Sequence, residues 1–116
     1  MDIDQGALKL IGFKEKEAKI LSYMIKNQRA DSLQIEHDLM MHQPEVSISM
    51  KTLIINHNII EFETQKQDTG RPKKIFILKK DAIIDYLITI TNKKLNILQE
   101  EEENLFNFLE KLEKKR

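Results

Sequence analysis

Nine positions in the last third of the chain, 84, 88, 91, 95, 98, 102, 105, 109 and 112, step alternately by four and three residues, and seven of them are apolar. They are Ile84, Ile88, Leu95, Leu98, Leu105, Leu109 and Leu112, interrupted by Thr91 and Glu102. A repeat averaging 3.5 residues puts all nine on one stripe of an α-helix, the seam of a coiled coil. The stretch reads as one helix of roughly 35 residues, starting near Asp81 as its N-cap, and at 1.5 Å per residue it spans roughly 50 Å. A domain of some 80 residues is too small to cover that length. The seam is therefore expected to pair with a second copy of the chain, which makes residues 81–116 a dimerisation helix with Ile84, Ile88, Leu95, Leu98, Leu105, Leu109 and Leu112 at the contact. The acidic run Glu100 to Glu103 is read as a solvated stretch balanced by lysines at either end rather than as a metal site.

The remaining residues, 1–80, carry shorter periods. Ala7, Leu8 and Ile11 fit a short helix that Gly12 ends. Ala18, Leu21 and Ile25, flanked by Ile20 and Met24, give a second helix from about Lys14 to Asn27 one broad buried face. Gln28-Arg29-Ala30 is read as a break. Asp31 stands three residues before Gln34, the spacing of a capping box, and predicts a short helix from Ser32 to Leu39 buried through Leu33, Ile35 and Leu39. After Met40-Met41-His42, Pro44 takes the first helical position, where its missing N–H costs nothing. The helix it opens runs to about Asn56 with Val46, Ser49, Met50 and Leu53 inward. Two short helices joined by three residues make a helix-turn-helix.

Beyond Asn58 the period changes from 3.6 to 2: Ile60, Phe62 and Thr64 alternate with Glu61, Glu63 and Gln65. Asp68-Thr69-Gly70-Arg71-Pro72 is a turn, and Ile75-Phe76-Ile77-Leu78 returns as the second strand of an antiparallel hairpin. The expected fold is mainly α with a small β-hairpin, a winged helix-turn-helix followed by a long coiled-coil helix.

Charge narrows the function classes. The chain of 116 residues has 19 basic and 19 acidic side chains, but they are unevenly placed. Residues 1–63 carry 7 basic and 10 acidic groups, residues 64–91 carry 6 and 3, and residues 92–116 carry 6 and 6, giving −3, +3 and zero. The local excess of positive charge surrounds the hairpin turn, a place to meet a phosphate backbone. Cysteine is absent, which removes disulfides, thiolate metal sites and cysteine nucleophiles together. His37, His42 and His57 lack metal-ligand spacing, and Asp31 and Asp38 read as capping or surface groups rather than a catalytic pair. No enzyme, cofactor or metal is expected. With no long apolar run and an acidic start, Met1-Asp2-Ile3-Asp4, the chain is expected in the cytoplasm, with no membrane partner.

The phrase Leu10-Ile11-Gly12-Phe13-Lys14-Glu15-Lys16-Glu17-Ala18 resembles the opening of TrmB-like archaeal transcriptional regulators, related in fold to the MarR group. The likeness continues through Gln43-Pro44-Glu45-Val46-Ser47 and through Thr69-Gly70-Arg71-Pro72-Lys73-Lys74-Ile75, which is similar to the wing of such proteins. It covers residues 4–80. This chain departs from the pattern at Glu36, where alanine is common, and in a helix-turn-helix turn without glycine. The resemblance implies a sequence-specific regulator of transcription that binds double-stranded DNA, and the seam of the last helix makes it a homodimer. The helix from Pro44 would enter the major groove, with Gln43, Ser47, Lys51 and Thr52 reaching bases and phosphates. Glu45 would either accept from a cytosine amine or only favour the positive end of the helix dipole. At the hairpin tip Arg71 would lie at a minor groove while Lys66, Lys73 and Lys74 meet phosphates. A polar hairpin tip also carries lysines merely because it is exposed, and the rival reading is a winged-helix docking module for another protein. Operator, sense of regulation and any small-molecule effector are not written in these residues.

Overall fold

The computed structural model describes residues 2–116. Five helices and three strands follow one another as α1 (Gln5–Leu10), α2 (Glu15–Asn27), β1 (Arg29–Asp31), α3 (Ser32–Leu39), α4 (Gln43–Ile55), β2 (Ile60–Gln65), β3 (Lys73–Leu78) and α5 (Ile83–Lys114). One compact unit extends to Ile84, and residues 85–116 form a second unit that is helical almost throughout. The first unit is a winged helix, as the element order predicts. Among the described residues no helix is long and apolar enough to cross a membrane.

Local chemistry sets most of the boundaries. Asp4 accepts from the amide of Gly6 to open α1. At the other end Phe13 N–H donates to the Leu8 carbonyl and Gly12 N–H to that of Lys9, a Schellman motif around Gly12 at φ +120°. Leu8 and Phe13, the pair such a motif brings together, are both buried. The amide of Lys14, N-cap of α2, donates to Glu17 Oε1. The capping box at α3 is complete: Gln34 N–H donates to Asp31 Oδ1 and Asp31 N–H to Gln34 Oε1, each at 2.9 Å. Helix α3 ends like α1, with Met41 N–H on the Glu36 carbonyl and Met40 N–H on that of His37. Here the left-handed residue is Met40, φ 53°, where glycine is usual. The other departure is absorbed locally, since Glu36 Oε2 accepts from the Ser32 hydroxyl one turn back.

The core lies between α2 and α4. Ala18, Ile20, Leu21 and Met24 of α2 meet Val46, Met50 and Leu53 of α4, with Leu8, Ile35, Ile59 and Ile60 fully buried around them. Ile35 alone closes the α3 side. Leu33, expected inside, is 73% exposed, because two residues in a helix are about 200° apart and Ile35 already takes the inner direction. Helix α4 starts one residue earlier than predicted, so Pro44 is its second residue, still among the four whose N–H has no helical acceptor. Asp81 lies in a turn rather than at a cap. The Lys79 carbonyl accepts from Ala82 and Ile83, and α5 begins at Ile83.

The hairpin is one strand short of the sheet. Residues 29–31, within the stretch read as a break and a cap, form β1, which pairs antiparallel with β3, Ala30 opposite Phe76, giving the strand order β1-β3-β2. Gln28 at φ 70° turns the chain out of α2, and its carbonyl accepts from Leu78 N–H. Strands β2 and β3 keep a continuous register from Ile60 opposite Leu78 to Gln65 opposite Lys73. Phe62, expected to alternate inward with Ile60, is 46% exposed, since the wing has by then left the core.

In the second unit α5 is unbroken to Lys114, and its seam is open: Ile88, Leu95, Leu98, Leu105, Leu109 and Leu112 are all exposed.

Candidate nucleic-acid interface

Helix α4 and the wing enclose an open groove of about 660 Å³. One wall is the stripe Gln43, Ser47 and Lys51, spaced by four residues and exposed about a quarter turn round α4 from the buried stripe Val46, Met50 and Leu53. The other wall is the wing: Arg71 and Pro72 from the loop, Lys74 from β3 and Phe62 from β2. Gly70, at φ +84°, makes the turn that carries Arg71. Lys74 Nζ sits 4.8 Å from the Phe62 ring centroid, a cation–π contact that steadies a long side chain at the groove edge.

Of the nine residues expected to contact DNA, the groove gathers five, Gln43, Ser47, Lys51, Arg71 and Lys74. Lys51 and Arg71 carry no ion pair among the described residues. The other four lie elsewhere or are engaged. Thr52 is half-buried and donates its hydroxyl to the Ile48 carbonyl of its own helix at 3.3 Å. Lys66 is exposed in the wing loop and does not line the groove.

Glu45 forms an ion pair with Lys16 of α2 at 2.9 Å. That hydrogen bond and the ammonium's charge outweigh the cost of desolvation and hold its carboxyl below the ordinary value. Position in the first turn of α4 gives the same carboxylate a favourable place on the helix dipole. Lys73 reaches back from β3 to Asp31 at 2.8 Å and so ties the wing to the N-cap of α3. Burial alone would raise the Asp31 carboxyl. Hydrogen bonds from Lys73 and the Gln34 amide, with the ammonium's charge, more than offset it and leave Asp31 below its ordinary value. On the same side of the sheet Arg29 bonds Glu63 at 2.8 Å.

The sequence reading overlooked Ser32, the first residue of α3, and the apolar floor of the groove, Ile54, Ile55 and Phe76. The α4 residues continue the Gln43-Ser47-Lys51 stripe by three and four, so extending that count by one turn finds them. Asp38, expected to be a surface group, accepts from the Tyr23 hydroxyl at 2.7 Å and from His37 at 3.1 Å. Burial first, then the bonded carboxylate, pushes the Tyr23 phenol up to about 12. The pair links α2 to α3 and holds the first helix of the helix-turn-helix in place.

No family model matches the sequence, and neither does any curated protein. Solved structures do match. A possible transcriptional regulator from Methanosarcina mazei Go1 superposes with a TM-score of 0.64 at 17% identity, over 82% of this chain and 81% of that one. A transcriptional regulator homologue protein from Pyrococcus horikoshii OT3 gives 0.51 at 14% identity, over 84% of this chain and 95% of that one. At such identities the likeness is one of fold.

Proposed function

We propose that this chain is a homodimeric transcriptional regulator that binds double-stranded DNA sequence-specifically, with α4 in the major groove and the wing at the adjacent minor groove. The observation that carries this reading is the groove itself. Exposed hydrogen-bonding side chains on the outward stripe of α4, Gln43, Ser47 and Lys51, stand opposite two cations of the wing, Arg71 and Lys74. One wall has the side chains that read base edges, the other the charge that holds a phosphate backbone. The descriptions of the two structurally similar archaeal proteins support a regulator. In this reading Arg71 senses a narrow, electronegative minor groove, and Lys66 and Lys74 meet phosphates. Lys73 exchanges its carboxylate partner for a phosphate. Glu45 and Thr52 lie about 100° or more round α4 from the reading stripe and meet the DNA from the other edge of the helix's outward face, and the seam of α5 pairs the two copies.

The test is a binding titration on a selected operator and on unrelated DNA at several salt concentrations. Lys74→Ala weakens all DNA about equally and lowers the salt slope by roughly 0.9. Ser47→Ala or Lys51→Ala changes which operator is preferred, by about 1–3 kcal/mol per lost base contact. Arg71→Ala acts most on sites flanked by AT-rich steps. If Lys66, Arg71 and Lys74 can be removed together without loss of affinity, the wing does not touch DNA and a protein-docking role replaces this one.

A further inference from the structure

The seam of α5 carries more than the fact of pairing. In register terms Ile88, Leu95, Glu102 and Leu109 are a positions, Ile84, Thr91, Leu98, Leu105 and Leu112 are d positions, and Lys94, Glu101 and Phe108 are g positions. We infer that two copies of α5 pair antiparallel, in the register that sets Thr91 opposite Glu102 of the second copy. This rests on the reading of α5 as the dimer helix and adds its direction and alignment.

When helices run antiparallel, each a residue packs opposite a d residue and each g residue opposite another g. In the inferred register, facing seam residues have numbers that sum to 193. Ile84 then faces Leu109, Ile88 faces Leu105 and Leu95 faces Leu98, so hydrocarbon meets hydrocarbon along these six, while Leu112 runs past the start of the partner's α5 at Ile83 with no seam residue opposite. The two polar interruptions meet each other, and a hydroxyl rather than a leucine stands against the carboxylate. Beside them Lys94 faces Glu101, and two-fold symmetry makes that pair twice.

The competing alignments lack these matches. Parallel helices in register press Glu102 against Glu102 and leave Lys94 beside Gln99. Sliding the antiparallel pair one heptad in one direction opposes Lys94 to its own copy and Glu102 to Ile84. Sliding it the other way opposes Glu101 to its own copy and Glu102 to Leu98. Like charges or a carboxylate against hydrocarbon are costly in each.

The surface of α5 fits the same register. Leu98, Glu101, Glu102, Leu105, Phe106 and Leu109 line a shallow hollow on the helix. Those residues are two adjoining four-residue holes of the kind a facing side chain enters, 98-101-102-105 and 102-105-106-109. The sum rule delivers Thr91 to the hole with two carboxylates and Ile88 to the hole with Phe106. The polar knob meets the polar hole. Thr91 Oγ1 donates to the Leu87 carbonyl in the single chain, and on pairing the same hydrogen turns to the Glu102 carboxylate of the second copy.

Disulfide trapping tests the inference, because the chain has no cysteine of its own. Ile88→Cys and Leu105→Cys both fall at exposed positions, 53% and 68%, and leave the winged helix intact. Chains carrying one or the other are mixed under reducing conditions, then oxidised and weighed by mass spectrometry. The expected product is the mixed disulfide. Either variant alone stays uncoupled, since 17 residues of helix, roughly 25 Å, separate like positions and a disulfide needs Cα atoms within about 7 Å. Self-coupling of Ile88→Cys or Leu105→Cys alone overturns the antiparallel register while leaving the dimer. A dimer that yields no disulfide in any mixture overturns it as well, and an unmodified chain that sediments as a monomer overturns the dimer too. A charge swap gives a second measure. Lys94→Glu raises the dimer dissociation constant about three- to tenfold, and adding Glu101→Lys restores it; a double variant as weak as the single one contradicts the facing of 94 and 101.

Discussion

The unit that ends at Ile84 and the helix that follows both carry regular apolar spacing, yet only the first satisfies it within one chain. Along α2 and α4 the inward residues are buried: Leu21 and Leu53 have no exposed surface. Along α5 the seam leucines keep roughly half of theirs. Periodicity thus tells which face of a helix is to be buried, and the reach of the surrounding chain decides what buries it. Helices of 13 residues lie within reach of each other's apolar faces, whereas a helix of 32 outruns the elements available to it.

The sharpest way to break that contrast is to remove buried volume from each region and ask whether the loss depends on protein concentration. Leu53→Ala lowers the stability of the winged helix by about 2–5 kcal/mol, measured by denaturant melting, with no change in sedimentation. Truncation after Asp85 does the reverse, leaving a folded monomer whose melting no longer shifts with concentration and whose DNA affinity falls by about two orders of magnitude or more as bivalency is lost. A truncated chain that still dimerises would place the interface elsewhere.

Next in size is Glu102→Leu, expected to stabilise by about 1–3 kcal/mol and to raise the melting temperature most at low concentration, because a carboxylate leaves an apolar seam. A neutral result would mean that the helices diverge near residue 102.

Asp31→Ala costs about 0.5–2 kcal/mol through the lost cap alone and adds the release of Lys73. Its pH signature has a defined sign. The folded carboxyl lies below its unfolded value of about 4, so its contribution is full above that pH and disappears as pH falls through the folded value. Stability of the native chain therefore drops on acidification below about pH 4, and Asp31→Asn flattens that part of the curve, read as melting temperature against pH. The smallest effect is a gain. Met40 is 91% exposed and left-handed, and Met40→Gly stabilises by about 1 kcal/mol in the same melts.

Much of the molecule is legible in its residues one turn or one strand at a time. The seam of α5, the capping box of Asp31 and Gln34, the inner stripe of α4 and the change of period at the wing all depend on neighbours within seven residues, where spacing and geometry are tied by the helix or the strand itself. The same holds for the stripe Gln43-Ser47-Lys51 of the candidate site. The rest was settled between residues far apart in the chain. Strand β1 has no pattern of its own in three residues and exists because β3 offers it hydrogen bonds. Leu33 and Phe62 are apolar by type and exposed by position, since the core had closed without them. Glu45 and Lys73 look like free charges in the sequence, and each is bound to a partner on another element, Lys16 and Asp31. Those pairings follow from where α2, α4 and the sheet come to rest, and side-chain type alone carries no information about that distance.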